Sequence, residues 1–494
     1  MRPERTSMQR PTTDPLRHEL RRFLLSFASV SGGNYAAIAL SFLISVTLTR
    51  ILGAEEFGRL ALLLTISQVL VVLVSSWTLT GLVRFGAREY AASRSIAETF
   101  WSRATLLGPW LVAALIVLAV SAGVLTSNLQ VPAYTMAVVA LHIVGATIFS
   151  TAAGALQATG RMSGFGAALF AERALALVAI LVLHRVQGID AVAALAIYAT
   201  TNAFVATWAL RSLGTRELTP VRVRRAAVVA LWRFSLPLVA STWAGLLGTQ
   251  WIDLAMIRIF LDLADVGRYA IASQVAGALM QLAIIMSTLL LPRYSVLAQR
   301  DPEGLREEVD RVLPYWLLGF SLLAAVAVAL AEIGVPLVFG PEFAAAVPAL
   351  ALLIVATSAG AIASTFQALL AAHGIMWPMT GAILTSVATN VALNAYLIPR
   401  LGISGAALAT VISYTVSAAL MLSIARQWLR LPVLRYALFV SPAVSVYVLW
   451  LALRGAWFYG AALVVLAVGA LLISRSFRLF RAAAIEAAVG TDSQ

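Results

Sequence analysis

Residues 250–270, QWIDLAMIRIFLDLADVGRYA, set one acid, Asp253, inside an apolar run, follow it with a short polar turn and end on Gly267-Arg268-Tyr269-Ala270. That ending has an echo 209 positions earlier, in Gly58-Arg59-Leu60-Ala61. At the same offset Arg293-Tyr294 repeats Arg84-Phe85. Farther along, Gly374 repeats Gly160, Gly402-Ile403 repeats Gly188-Ile189 and Ala407 repeats Ala193, now 214 positions apart. The wider offset puts one small insertion in the second copy, near Asp301-Pro302-Glu303-Gly304. Fixed order and spacing mark an internal duplication whose second copy opens near Leu231.

Composition places the duplicated units in a bilayer. The 494 residues are 61% hydrophobic and 12% charged, with a mean hydropathy of +0.91, well above the apolar share of a soluble domain. A net charge of +13 suggests nucleic acid at first sight, but the basic residues, all of them Arg, stand between apolar runs. Cysteine is absent, which excludes disulfides, thiolate metal sites and a thiol nucleophile. The first apolar run begins late and continues to spanning length, so it does not read as a cleavable signal.

A membrane-crossing helix takes about 20 apolar residues. Fourteen such runs are present, near 30–51, 58–81, 104–126, 131–156, 164–184, 189–211, 234–260, 267–291, 313–333, 347–372, 377–398, 403–425, 433–453 and 456–474. The expected fold is an all-α polytopic membrane protein. Residues 1–28 form an N-terminal segment, 29–211 a six-span N-lobe, 212–233 a basic connector and 234–425 a six-span C-lobe. Two trailing spans lie in 426–474 and a tail in 475–494. In the first segment Leu16, Leu20, Phe23, Leu24 and Phe27 recur at helical spacing opposite Arg17, Arg21 and Arg22, which reads either as a basic amphipathic helix on an anionic surface or as a simple cytoplasmic extension of the first span.

Arginine counting sets the orientation. With the N-terminus inside, 27 of the 35 arginines fall on inner segments and 7 on outer loops. Both termini are then cytoplasmic. Each half holds an even number of spans, so the copies are parallel repeats related by an axis along the membrane normal. Pro237 and Pro292 stand inside spans seven and eight as bending points.

Much chemistry is excluded. A Walker A loop and Schiff-base catalysis both need Lys. His18, His142, His184 and His373 lack metal-ligand spacing, and neither HExxH nor GxSxG occurs. The chain reads as a transporter without cofactor, resident metal or catalytic residues. Its informative residues are polar groups inside spans, because a charge in hydrocarbon costs at least about 2.5–3.5 kcal/mol and usually faces a cavity or a partner. Glu172 and Arg173 lie mid-span; consecutive helical residues project about 100° apart, so they need not pair with each other. Asp253 lies inside span seven, with Arg258 nearer its outer end. Each acid reads either as half of a structural ion pair or as a carrier of coupling or cavity charge. Arg84 and Arg293, at matched inner ends, read either as positive-inside anchors or as a pair of guanidinium forks suited to phosphate, and Arg173 as a partner for an anionic substrate group. Gln157, Asn202, Asn390 and Asn394 suit sugar hydroxyls or interhelical hydrogen bonds, and Trp243 and Trp251 are candidate sugar-facing aromatics.

Leu48-Thr-Arg-Ile-Leu-Gly-Ala-Glu-Glu-Phe-Gly-Arg-Leu-Ala61 resembles the first-loop signature of polysaccharide flippases. Phe234-Ser-Leu-Pro-Leu, Asp253, Val266-Gly-Arg-Tyr-Ala270 and Leu291-Pro-Arg-Tyr294 resemble the pattern opening their second half. The likeness covers spans one to twelve and points to Wzx-like transporters of the multidrug/oligosaccharidyl-lipid/polysaccharide flippase superfamily. It implies a V-shaped, two-lobed bundle that moves a polyprenyl-diphosphate-linked oligosaccharide across a bacterial plasma membrane by alternating access. The product would serve surface polysaccharide synthesis, O-antigen or exopolysaccharide. Membrane lipids, a glycan polymerase and glycosyltransferases are the implied partners. The alternatives are a cation-coupled drug exporter of the same superfamily and, less favoured because the outer loops are short, a membrane glycan polymerase.

Overall fold

The computed structural model describes residues 14–219, 222–247, 250–429, 436, 438, 440–453, 455–471 and 474; side chains are described from 36 on, apart from scattered positions. The described secondary structure is helical throughout, with no strand. Among the described residues ten helices are long and apolar enough to cross a membrane, and two shorter apolar ones, Ser441–Ala452 and Gly455–Leu471, follow them. The chain is a multi-pass membrane protein. Spans one and two run as a single helical stretch, α1 (Asp14–Val71), and 58 residues at 1.5 Å each far exceed one bilayer. The stretch is broken at Gly53, whose φ of 71° takes it out of the helical region. A π-turn, Val72–Ser76, joins it to α2 (Trp77–Ser93). Then come α3 (Ala97–Leu129), α4 (Thr135–Ala158), α5 (Met162–Gln187), α6 (Ala191–Leu213) and the short α7 (Thr215–Leu218). Span seven is described as α8 (Arg225–Leu247), which contains Pro237, and α9 (Gln250–Phe260), with residues 248–249 outside the described residues. The remainder is α10 (Leu263–Arg300), α11 (Pro302–Phe339), α12 (Val347–Ala372), α13 (Met376–Leu401), α14 (Ile403–Leu429) and α15 (Ser441–Ala452).

The helix ends repeat as the sequence does. Gly160 closes α4 and Gly374 closes α12, both at φ 73°, where a side chain would be strained and glycine is not.

The chain divides into two compact units. The first comprises residues to Ser45 and Ile66–Trp243. In it α4 packs on α2 and α6, and α5 on α6. Small residues set the spacing: a Cβ added at Gly145 would meet Ala199 O at 3.0 Å. The N-terminal helix is present from Asp14, while the side chains of its proposed amphipathic face lie outside the described residues.

The second unit comprises Val46–Thr65 and the chain from Ala244 on. Its hub is α12, 83% buried over its apolar window and packed against α10, α11 and α14. Residues 46–65 are fastened at their own helix break. Arg50 donates to the carbonyls of Leu337 and Val338 (2.8 Å for the latter), which the end of α11 leaves without helical partners. The amide of Ala54, just past Gly53, donates to Glu342 Oε2 at 3.0 Å. Phe57 meets the edge of Phe343 at 6.1 Å. The two repeat glycines then lie against one another. A Cβ at Gly58 would fall 1.9 Å from Leu263 O, and one at Gly267 would fall 2.1 Å from Ala54 O. No side chain fits on either helix, which accounts for glycine at the head of both motif copies.

Gly58→Ala and Gly267→Ala should each destabilise the protein by at least about 1–3 kcal/mol, as overpacking does. Gly381→Ala, whose Cβ would meet nothing within 4 Å, should be neutral. Thermal unfolding of the detergent-purified proteins, read by size-exclusion chromatography, compares the three.

Candidate functional site

Each unit holds its own polar cluster. In the first, α5 carries Glu172 and Arg173, and Arg173 Nε reaches back to Glu172 Oε2 at 2.9 Å. Neighbours on a helix diverge, but the long arginine stem bends far enough to close the pair. The Glu172 side chain is 4% exposed and that of Arg173 is 36% exposed, so the carboxylate is sealed and the guanidinium open. The Arg173 guanidinium lies 6.0 Å from the Tyr198 ring. Asn202 is buried and donates to Tyr198 O on its own helix at 2.9 Å. His142 Nδ1 meets Ser67 Oγ at 2.5 Å. Gln157 is half-buried near the end of α4.

Arg84 and Arg293 are both exposed. Arg84 is laid over Phe234 at 4.6 Å, a cation–π contact that holds the guanidinium without neutralising it. Trp243 stands edge-on to Trp110 at 6.2 Å, and its buried Nε1 has no hydrogen-bond partner among the described residues.

Arg103, which the arginine count places on an inner segment, is instead fully buried in α3, which begins at Ala97. It donates to Thr78 Oγ1 at 2.9 Å, to Ser75 O at 3.1 Å and to Thr151 Oγ1. Ser75 belongs to the π-turn, whose altered register offers carbonyls to outside donors.

In the second unit the organising residue is Asp253, on α9 and 5% exposed. Its carboxylate is held by uncharged donors from three other helices. Tyr269 OH of α10 donates to Oδ2 at 2.8 Å, and Asn394 Nδ2 of α13 to Oδ1 at 2.7 Å. Thr410 of α14 lies 3.4 Å from Oδ2, and Asn394 Nδ2 also reaches Asn390 Oδ1 at 3.0 Å. No cation among the described residues stands in ion-pair contact with Asp253; Arg258 donates to Leu261 O at 3.3 Å, at the end of its own helix. One acceptor of the cage, Asn394 Oδ1, is buried with no donor among the described residues. Carboxylate, amide and hydroxyl oxygens together form a donor set for a hard monovalent cation or a proton.

The cage opens on a pocket of about 370 Å³ bounded by α9, α10, α12, α13 and α14. Trp251, Asp253, Tyr269, Asn390, Thr410 and Tyr414 supply its polar and aromatic lining. Trp251 and Asn390 border this chamber, whereas Asn394 is fully buried behind it.

Sequence reasoning missed Tyr269, Thr410 and Tyr414, yet a signal for the first two was present. At the repeat offsets, Asp253, Tyr269, Asn390, Asn394 and Thr410 of the second copy face Ile44, Leu60, Ala176, Ile180 and Ala196 of the first. Every residue of the cage is polar where its counterpart is apolar. Comparing the copies for divergence rather than likeness would have found it.

Known proteins agree with this architecture. The family described as "Polysaccharide biosynthesis protein" matches residues 24–298. A probable low-salt glycan biosynthesis flippase, Agl15, from Haloferax volcanii is 30% identical over 246 residues. That match takes in 47% of this chain and 49% of the relative, so the chain spans about half the relative's length. Among solved structures, the lipid II flippase MurJ in an inward closed conformation superposes with a TM-score of 0.71 at 11% identity, over 92% of this chain and 99% of that one. An inward-facing multidrug resistance MATE family transporter of the MOP superfamily gives 0.54 at 15% identity, over 83% and 95%. The structural likenesses establish the fold, and the sequence match over more than half of the chain establishes the kinship: this protein belongs to the polysaccharide biosynthesis protein family.

Proposed function

We propose that this chain is a flippase that carries a polyprenyl-diphosphate-linked oligosaccharide from the inner to the outer leaflet of a bacterial plasma membrane, with both termini cytoplasmic. The observation that carries the reading is the chamber of the second unit. A membrane-spanning protein gains nothing from a polar, partly hollow bundle unless something polar enters it, because hydroxyl and amide groups inside a bilayer are costly without partners. The glycan relative and the lipid II flippase fold support the same direction.

The parts take the following roles. Arg84, Arg293 and the open guanidinium of Arg173 gather the diphosphate, for which a planar fork of donors is suited. Glu172 holds Arg173 in place. Asp253 carries the coupling charge, a proton or a monovalent cation, within its cage of oxygens. The polyprenyl tail stays in lipid while the protein alternates between inward and outward access. A glycan polymerase working on the outer leaflet would draw the product away.

A second reading, a cation-coupled exporter of small drugs, is favoured by one observation: among the described residues on the wall of the chamber Asp253 is the sole carboxylate, with no arginine beside it. The two readings part on what accumulates when the protein is missing. Deleting the gene should trap lipid-linked oligosaccharide on the inner leaflet, measured by lipid extraction and sidedness labelling. Heightened drug sensitivity with normal glycan lipids would favour the exporter.

Arg173→Ala should restore much less surface polysaccharide than wild type in the deletion strain, at equal membrane abundance by immunoblot. Full restoration by both Arg173→Ala and Glu172→Ala would remove this pair from the substrate path.

A further inference from the structure

Resting on the flippase reading, we infer that the second unit holds the saccharide of the substrate, apart from its diphosphate, in two joined chambers that continue away from Asp253. The 370 Å³ pocket adjoins a smaller one of about 150 Å³, and the two share Met280, Ser386, Val387 and Tyr414. Together they reach the size range of small-molecule sites.

Helical register aims four faces into this space. On α14, Thr410, Ser413, Tyr414 and Ser417 recur at i, i+3, i+4 and i+7. On α12, Thr357, Gly360, Ser364 and Gln367 keep a similar spacing. Gly360 makes room for the Tyr414 ring, since a Cβ there would come 2.9 Å from it. Most hydroxyls on the walls donate to carbonyls, as Ser386 does to Ser413 O at 2.8 Å and Ser364 to Ala361 O at 3.2 Å. Each keeps acceptor capacity turned to the chamber. Gln367, Ser417 and the Tyr414 hydroxyl have no side-chain hydrogen bond among the described residues, and all three residues are half-buried on the wall.

The lining chooses between the three parts of the substrate. Among the described residues no arginine borders either chamber and the sole carboxylate is Asp253, so a diphosphate would meet repulsion and no counter-charge there. A polyprenyl tail would strip water from the hydroxyls and the Gln367 amide and return nothing. A pyranose presents hydroxyls at its rim and C–H faces above and below. It matches walls that alternate hydroxyl and amide groups with Trp251, Tyr414, Met280 and Val387. Asn390 and Thr410 belong to both the wall and the Asp253 cage, so saccharide occupancy and the charge state of Asp253 act on the same side chains. Any difference in glycan affinity between the two states of Asp253 must appear equally as a difference in cation affinity.

The natural lack of cysteine allows a direct test, because a single introduced thiol is the only one present. Ser417→Cys and Ser364→Cys place it in the smaller chamber, and Ala87→Cys places it beside Arg84. Each purified variant, checked for an unchanged melting temperature, is labelled with a small methanethiosulfonate reagent. The probes are glycan-bearing polyprenyl diphosphate, extracted from cells lacking the gene, and undecaprenyl diphosphate alone. The glycan-bearing lipid should slow labelling of Ser417→Cys and Ser364→Cys about tenfold at ten times its dissociation constant. Undecaprenyl diphosphate should protect only Ala87→Cys. Adding Tyr414→Phe should raise the half-protecting concentration of the glycan lipid about threefold to tenfold. Equal protection of the chamber thiols by both lipids would overturn the assignment. Protection at Ala87→Cys alone by the glycan lipid would overturn it and leave the flippase reading standing. Protection at no position would overturn both.

Discussion

A carboxylate held inside a membrane is the constraint on which the second half of this protein turns. Ionised in hydrocarbon, it costs several kcal/mol unless donors surround it. Asp253 gathers them from three helices: Tyr269 from α10, Asn394 from α13 and Thr410 from α14. None of these donors is charged, so the carboxylate is stabilised without being neutralised. An arginine partner would fix its state; hydroxyls and an amide leave it able to change. The same side chains tie α9 to the bundle, so a change of charge at Asp253 bears directly on how four helices pack.

The duplication explains why such a site stands in one copy only. Both copies inherited the same helix ends, seen in Gly160 and Gly374 at one φ, and the same close-approach glycines, Gly58 and Gly267. Those positions are dictated by backbone geometry, which both copies must satisfy. The interior positions were free to diverge. The second copy took Asp253, Asn390 and Asn394 where the first has Ile44, Ala176 and Ile180. The first copy placed its charges elsewhere, at Glu172 and Arg173, opposite Ser386 and Val387 of the second. The first copy thus carries an ion pair where the second has a serine and a valine, and the second carries Asp253 where the first is apolar.

Much of the fold was legible in the sequence because lipid leaves the backbone few options. A run of about 20 apolar residues in a bilayer must be helical, and the expected span at 347–372 coincides with α12. Span boundaries set by polar chemistry were harder. Gly53 breaks a helix that continues on either side, so spans one and two form one stretch. Arg103 counted among the arginines of an inner segment, yet its side chain is buried against Thr78, Ser75 and Thr151. Of the site, Asp253, Trp251, Asn390 and Asn394 were legible because polar and aromatic residues inside spans are conspicuous. Tyr269 and Thr410 were not, since tyrosine and threonine are ordinary in membrane helices and their role comes only from three-dimensional neighbours. The pairing of Glu172 with Arg173 was hidden for a similar reason: helical periodicity gives the direction of a side chain and not the reach of an arginine.

We propose Asp253 as the charge that drives a lipid-linked glycan across the bilayer, and proteoliposomes test that proposal most directly. Purified protein would be reconstituted with glycan-bearing polyprenyl diphosphate confined to one leaflet, under an imposed proton or sodium gradient. Appearance of the glycan on the opposite leaflet would be followed with an impermeant lectin. Wild type should move the lipid at a rate that responds to one of the gradients, and Asp253→Asn should fall to the rate of protein-free vesicles. Undiminished, gradient-responsive transport by a properly folded Asp253→Asn protein would contradict the account.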